Sequence, residues 1–278
     1  MNPSGDIFKD YPGTLKHSVD TGAHTESRPV FNVGVVWTGI ENLALRASWA
    51  QGFRVPILQE LYVDTSMGST SGVTYANPDL DPETSDNFEI GARYTNNGLN
   101  LDWAFFYHIA DDYIAAVPVG NDSDDSVYTN VAKAKTFGSE LAASYDLDCG
   151  LTPYASLTWM RRQYDDGKGF KTFDTATPEW VGRYGVRFRH ALTDYVDFNA
   201  DAYLRSQSAT KYAEASHEAD YRLGGFTTVN FAVGFDFGDE KQYSVMAEVL
   251  NLLDKRYQYN QAILEPGLHA NVKVGMKF

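Results

Sequence analysis

Residues 268–278 read Leu268-His269-Ala270-Asn271-Val272-Lys273-Val274-Gly275-Met276-Lys277-Phe278, and the parity of each position sets the character of its side chain. The even positions hold Leu268, Ala270, Val272, Val274, Met276 and Phe278, whereas the odd ones hold His269, Asn271, Lys273, Gly275 and Lys277. Successive side chains of a β-strand point to opposite faces, so this is a strand with one apolar and one polar face. Its length matches the roughly 9–11 residues that a tilted strand needs to cross a bilayer.

The same alternation runs upstream. Leu99, Leu101, Trp103, Phe105, Tyr107 and Ile109 share one face, opposite Asn100, Asp102, Ala104, Phe106 and His108. Val196, Phe198, Ala200, Ala202 and Leu204 likewise oppose Asp197, Asn199, Asp201 and Tyr203. Further alternating sets begin at Phe31, Leu43, Phe88, Leu141, Ala155, Tyr184, Val229 and Tyr243, which with the last segment gives eleven strands. The connections alternate as well. Turns at 39–41, 96–98, 148–150, 191–194 and 238–241 are short, and polar links at 53–85, 118–126, 162–179, 206–225 and 251–266 are long. Short turns at one end and long loops at the other are the plan of an antiparallel transmembrane β-barrel meander, with the long loops extracellular. Trp37, Tyr94, Tyr145, Phe188, Phe237 and Phe278 fall beside the short turns, and Trp49, Tyr107 and Trp159 beside the long links, as two interfacial aromatic girdles require. A soluble sandwich also alternates, but has no reason to alternate its connection lengths so regularly.

Composition agrees with this all-β reading. The 278 residues are 43 % hydrophobic and 14 % aromatic, yet no run of about 18 apolar residues exists to make a transmembrane helix. A net charge of −14, concentrated in links such as 79–86 and 121–125, excludes nucleic acid as a partner, because phosphates need basic patches. The only cysteine, Cys149, leaves no internal disulfide, and no Cys/His spacing suits a metal, so neither a metal nor a cofactor is expected. No nucleophile elbow, zinc-protease motif or phosphate loop is present, and the chain is not read as an enzyme. The first residues carry neither a positive stretch nor an apolar one, so no signal peptide is expected.

The stretch after the second strand carries a resemblance. It reads Gly52-Phe53-Arg54-Val55-Pro56, Glu60-Leu61-Tyr62, then Asn77-Pro78-Asp79-Leu80-Asp81-Pro82-Glu83 and Glu89-Ile90-Gly91. In the same order follow Tyr128-Thr129-Asn130-Val131 with Gly138-Ser139-Glu140, Asn251-Leu252-Leu253-Asp254-Lys255-Arg256-Tyr257, and Glu265-Pro266-Gly267 before the final strand. These boxes resemble those of TonB-dependent outer-membrane receptors, and the aromatic carboxyl terminus resembles the strand that outer-membrane assembly recognises. The resemblance covers residues 28–278, leaving 1–27 as the remnant of an extracellular loop. It implies half of a 22-stranded barrel: the C-terminal eleven strands, without the plug, the TonB box or the first eleven strands. It further implies a location in the cell outer membrane, contact with its lipid, and partners in the missing plug and barrel half and, through the missing N-terminus, the TonB complex. The function expected is energy-coupled uptake of an iron complex, either a ferric siderophore or haem. The alternative is a passive channel or adhesin-like barrel without energy coupling.

Candidate binding residues follow from position. Arg54 and Glu60 belong to the receptor box, where they either contact substrate or plug or satisfy an ordered loop fixed by Pro56, Pro78 and Pro82. The polar faces place Arg46, Arg93, Asp102, Glu140, Arg183, Arg187, Arg189, Asp201, Arg205, Glu248 and Lys273 on the lumen, a mixture of signs suited to docking a plug. Arg183, Arg187 and Arg189 on one strand form its most basic stretch and a candidate path for an anionic substrate. No histidine lies between the two halves of the receptor box, where haem receptors of the family often have one. If haem is the cargo, His217, flanked by Tyr212 and Tyr221, is the cluster able to ligate its iron.

Overall fold

The computed structural model describes residues 27–66, 72–119, 125–165, 169–170, 177–212, 221–259 and 263–277. The expectation for residues 1–27 therefore lies, but for Ser27, outside the described residues. In chain order the elements are β1 (Asn32–Ile40), β2 (Leu43–Arg54), a short helix α1 (Leu58–Tyr62), β3 (Thr65–Ser66), β4 (Val73–Tyr75), β5 (Glu83–Asn96), β6 (Leu99–Pro118), β7 (Ser126–Tyr145), β8 (Leu151–Asp165), β9 (Trp180–Thr193) and β10 (Val196–Gln207). β11 (Thr210–Tyr212), β12 (Tyr221–Leu223), β13 (Phe226–Phe237), β14 (Tyr243–Leu250) and β15 (His269–Met276) complete the chain.

Eleven of these strands form one antiparallel path, β1-β2-β5-β6-β7-β8-β9-β10-β13-β14-β15, in which sequence neighbours pair throughout. The connection lengths alternate as the sequence requires. Asn97 and Gly98 join β5 to β6 with φ of 46° and 81°, the left-handed pair that a two-residue hairpin turn demands. At the other end the long link after β2 holds α1 and the β3–β4 hairpin, and β4 pairs in parallel with β7. The link after β10 holds the β11–β12 hairpin. The link at 118–126 stands where the sequence places it, between Pro118 and Ser126, and β6 and β7 reach it as strands of 20 residues each.

Register confirms the two faces. Trp103 stands across from Ala92 and Leu141, and Phe105 from Ile90 and Ser139, while Asp102 stands across from Arg93 and Ala142. Burial then shows which face is the inner one. Along β13 the polar-side residues Thr228 and Asn230 are 3 % and 5 % exposed, whereas Phe231 and Phe235 are 42 % and 40 % exposed. A flat sheet would expose both faces alike, so the sheet curves with its polar face concave. A water-soluble protein buries the opposite set; here apolar side chains face outward, as lipid contact requires. Polar atoms on that outer face are satisfied locally. Trp103 Nε1 donates to Ser139 Oγ at 2.8 Å, and near the long-loop end Trp49 Nε1 donates to Asp86 Oδ1 at 2.9 Å. The long-loop aromatic girdle continues through Phe137, Trp159 and Trp180, whose rings follow one another at 5.7 Å and 6.2 Å.

Candidate functional site

At the long-loop end of β2 and β5, Arg54 and Glu83 face each other directly across the ladder. Arg54 Nε and Nη2 donate to the two Glu83 oxygens at 2.7 Å and 2.6 Å, and Nη1 donates to both oxygens of Glu60 at 3.0 Å and 2.9 Å. A guanidinium forked onto two carboxylates is among the strongest polar contacts a side chain makes. The carboxylates in turn hold backbone: Glu60 accepts from Ile57 N at 2.9 Å and Glu83 from Ile114 N at 2.7 Å. The second half of the box is tied by amides. Asn77 N donates to Glu60 O and Asn77 Nδ2 to Tyr128 O, while Asn130 accepts from Asp81 N and donates to Asp81 O and Asp112 O. The boxes thus form one clamp that fastens the link after β2 onto β6 and β7.

Below the clamp the concave wall is a lattice of cross-strand ion pairs. Arg46 reaches Glu89 and Asp102, both at 2.9 Å, and Arg93 reaches the other oxygen of Asp102 at 2.6 Å. Lys273 pairs with Glu248 at 2.6 Å, and near the short-turn end Arg189 and Lys241 share Asp197. His108 Nδ1 lies 2.6 Å from Asn87 Oδ1, and His269 Nδ1 lies 2.8 Å from Gly267 O.

Arg183, Asp201 and Tyr154 form the most interlocked part of this wall. Arg183 Nη2 donates to Asp201 Oδ2 at 2.9 Å and Nε to the Tyr154 hydroxyl at 3.2 Å, and that hydroxyl donates to Asp201 at 2.9 Å. The guanidinium lies 3.9 Å from the centre of the Tyr203 ring. Arg187 is different: it lies 4.8 Å above Tyr154 and has no carboxylate partner among the described residues. With Arg189, Asn199, Asp201 and Met246 it lines a concavity of about 520 Å³.

The last long link is built on Asn251, 1 % exposed with φ of 54°. Its backbone N–H donates to Asn230 Oδ1, its Oδ1 accepts from Lys255 N, and its Nδ2 donates to Lys255 O. Asp254 accepts from Leu268 N at 2.9 Å, and a Cβ at Gly267 would strike Asp254 Oδ1, so only glycine leaves that carboxylate in place. Beside the turn, Phe226, Tyr257 and Tyr259 pack with centroids 4.2–5.5 Å apart, and Arg205 lies 5.2 Å from the Tyr259 ring. Burial pushes the Tyr259 hydroxyl up to about 12.

The candidates therefore fall in three places. Arg54 and Glu60 meet in the clamp, and Arg183 and Arg187 meet on the wall around Tyr154. Tyr212 and Tyr221 stand opposite each other in the β11–β12 hairpin, and His217 lies outside the described residues. The sequence singled out neither Tyr154, Tyr203 nor Tyr259 as partners of the arginines. Parity along β8 and β10 assigns the first two to the lumen, but only the pairing register shows which arginine each ring meets.

Comparison with known proteins accords with this architecture. Residues 6–252 match the family described as TonB dependent receptor-like, beta-barrel. The iron-regulated outer membrane virulence protein of Vibrio cholerae is 25 % identical over 262 residues, covering 90 % of this chain and 38 % of that protein. The heme/hemopexin utilization protein C of Haemophilus influenzae is 25 % identical over 262 residues, covering 86 % of this chain and 36 % of its own length. This chain thus spans little more than a third of these relatives. Among solved structures, the siderophore receptor PirA from Acinetobacter baumannii superposes with a TM-score of 0.66 at 19 % identity, covering 90 % of this chain and 41 % of that one. The copper transporter OprC does so with a TM-score of 0.70 at 20 % identity, covering 89 % and 39 %. The chain belongs to the TonB-dependent receptor β-barrel family of the outer membrane.

Proposed function

We propose that this chain is the C-terminal half of the barrel of an outer-membrane receptor that imports an iron complex, a ferric siderophore or haem, with energy delivered through TonB. The family is one of receptors and transporters, and relatives named for iron regulation, haem utilisation and ferric aerobactin support an iron cargo. The observation that carries the reading is the concave wall. Its charges are largely locked in cross-strand pairs, yet Arg187 stands over Tyr154 without a carboxylate among the described residues, so the wall is rigid but keeps a cation for a visiting anion. In this reading Arg187, with Arg183 behind it, meets anionic groups of the cargo or of a plug. Arg54 and Glu60 hold the loop that forms the mouth. The edges of β1 and β15, unpaired among the described residues, receive further strands, because orphan backbone groups in lipid cost several kcal/mol each. Transport then consists of binding and gated release, with no bond of the cargo broken by the chain.

The test is uptake of radiolabelled iron complexes by cells carrying the assembled receptor. Uptake is expected to vanish in cells lacking TonB. Arg187→Ala is expected to weaken the apparent affinity for an anionic complex roughly tenfold, the worth of one charge-assisted contact. Uptake that persists without TonB would instead establish a passive channel. Haem titration separates the two cargoes: a Soret shift lost in His217→Ala or Tyr221→Phe assigns haem, and no shift in the wild type leaves the siderophore.

A further inference from the structure

On the outer face, at the extracellular ends of β8, β9, β10 and β13, the lipid-facing pattern is interrupted. Leu157, Gly182, Ser206 and Thr227 stand in one row across the four strands. Leu157 is the one large apolar side chain in it. Gly182 offers no side chain; a Cβ there would already sit 3.3 Å from Leu157 Cδ1. The result is a groove of about 520 Å³ walled by Leu157, Trp180 and Tyr184, with Lys255 at its rim. Ser206 is the next-to-last residue of β10 and Thr227 the second of β13, so the groove opens at the outer-leaflet interface.

Three hydroxyls of this groove are joined in a chain. The Tyr184 hydroxyl lies 3.1 Å from Ser206 Oγ, which lies 2.9 Å from Thr227 Oγ1. Three hydroxyls joined by two hydrogen bonds use two of their three protons, so one O–H is left to donate outward. The indole N–H of Trp180 has no acceptor among the described residues. Lys255, at the rim, is not ion-paired among them. Glu179, next to Trp180 in sequence, is taken by Arg161 at 3.0 Å, and Asp254 by the Leu268 N–H. The groove therefore offers an apolar floor, unused donors and the Lys255 cation at its rim.

We infer that this groove is a binding site for a phosphate-bearing lipid of the outer leaflet. One acyl chain lies over Gly182 against Leu157 and Tyr184, and the phosphate and ester oxygens accept from the hydroxyl chain, Trp180 Nε1 and the Lys255 ammonium. The inference rests on the outward orientation of this face and not on the identity of the cargo.

The test uses the receptor assembled in and purified from the outer membrane, reconstituted in phosphatidylcholine nanodiscs containing dibrominated phosphatidylglycerol or, separately, dibrominated phosphatidylcholine. Bromine quenches nearby indoles, and the difference between wild type and Trp180→Phe isolates the signal of Trp180. Trp180 is expected to be quenched at a roughly fivefold lower mole fraction by the anionic lipid, the worth of the one cation engaged. The preference is expected to disappear in Lys255→Ala. Gly182→Leu, which fills the groove, is expected to reduce quenching by both lipids. Heat-modifiable gel migration checks that each variant is folded. Equal quenching of the wild type by the two lipids, or a preference that survives both variants, overturns the site. Loss of the preference on adding excess inorganic phosphate would assign the donors to a free anion and overturn the lipid.

Discussion

Arg54 has donors enough for two carboxylates, and it uses them on Glu60 and Glu83 together. Both acids are 12 % exposed at the side chain, so removing the guanidinium leaves two nearly enclosed charges without a counter-ion. Arg54 itself is 39 % exposed, which lets solvent screen part of the loss. Arg54→Ala is expected to destabilise the clamp by on the order of 2 kcal/mol. Arg54→Lys is expected to recover less than half, because an ammonium cannot fork onto two acids. Limited proteolysis between α1 and β5 reads this directly; unchanged cleavage in Arg54→Ala would refute the structural role of the clamp. At this scale the sequence showed the motif but not its wiring. Arg54 and Glu83 lie 29 residues apart, and that they oppose each other follows only from the β2–β5 register. Tyr154 was legible as a lumen residue by parity, yet its place between Arg183 and Arg187 depends on how β8 and β9 align.

The turn after β14 shows how an element is fixed by one side chain. Asn251 adopts a left-handed conformation and holds both ends of its loop with its amide. Asn251→Ala loses those bonds and leaves buried backbone groups unpaired, a loss of roughly 3 kcal/mol. Asn251→Asp keeps the acceptor for Lys255 N but sets a carboxylate oxygen against Lys255 O and Pro266 O, and is expected to lose at least as much. The heat-modifiability midpoint of the folded barrel measures both, and equal midpoints for wild type and Asn251→Ala would contradict the account. The same loop carries a pH dependence. Tyr259 ionises at about 12 in place, whereas an unfolded tyrosine does so near 10. Its folded value is the higher one, so the loop's stability is full below about pH 10 and falls as pH rises toward 12. Tyr259→Phe is expected to flatten that fall. Elements were legible to different degrees. Strict alternation gave the eleven spanning strands, because lipid on one side and a polar wall on the other enforce it. It gave neither the full length of β6 and β7, which continue beyond the bilayer, nor α1 and the β3–β4 hairpin. Those short pieces exist through contacts such as Val73 N to Asp125 Oδ1 and the Arg54 clamp, which no local pattern announces.

For the whole molecule, the decisive property is that its apolar side faces out. Phe231 sits near the middle of β13 with its ring exposed. Phe231→Arg is expected to cost about 2–4 kcal/mol of insertion at mid-bilayer, whereas Thr227→Arg at the interface is expected to cost at most about 1 kcal/mol. Folding yields into lipid vesicles give both numbers, and equal tolerance at the two positions would argue against a spanning β13. A last consequence comes from the strand lengths. A 20-residue strand is about 65 Å long, and at a tilt of about 40° it rises about 50 Å, twice the height of the apolar band. The upper half of β6–β7 therefore stands clear of the cell surface as a ladder-bonded mast, stiffened along its flank by β4. A peptide epitope placed between Val119 and Asp125 would be carried at the top of this mast, within reach of antibodies and far from both the lipid and the concave wall.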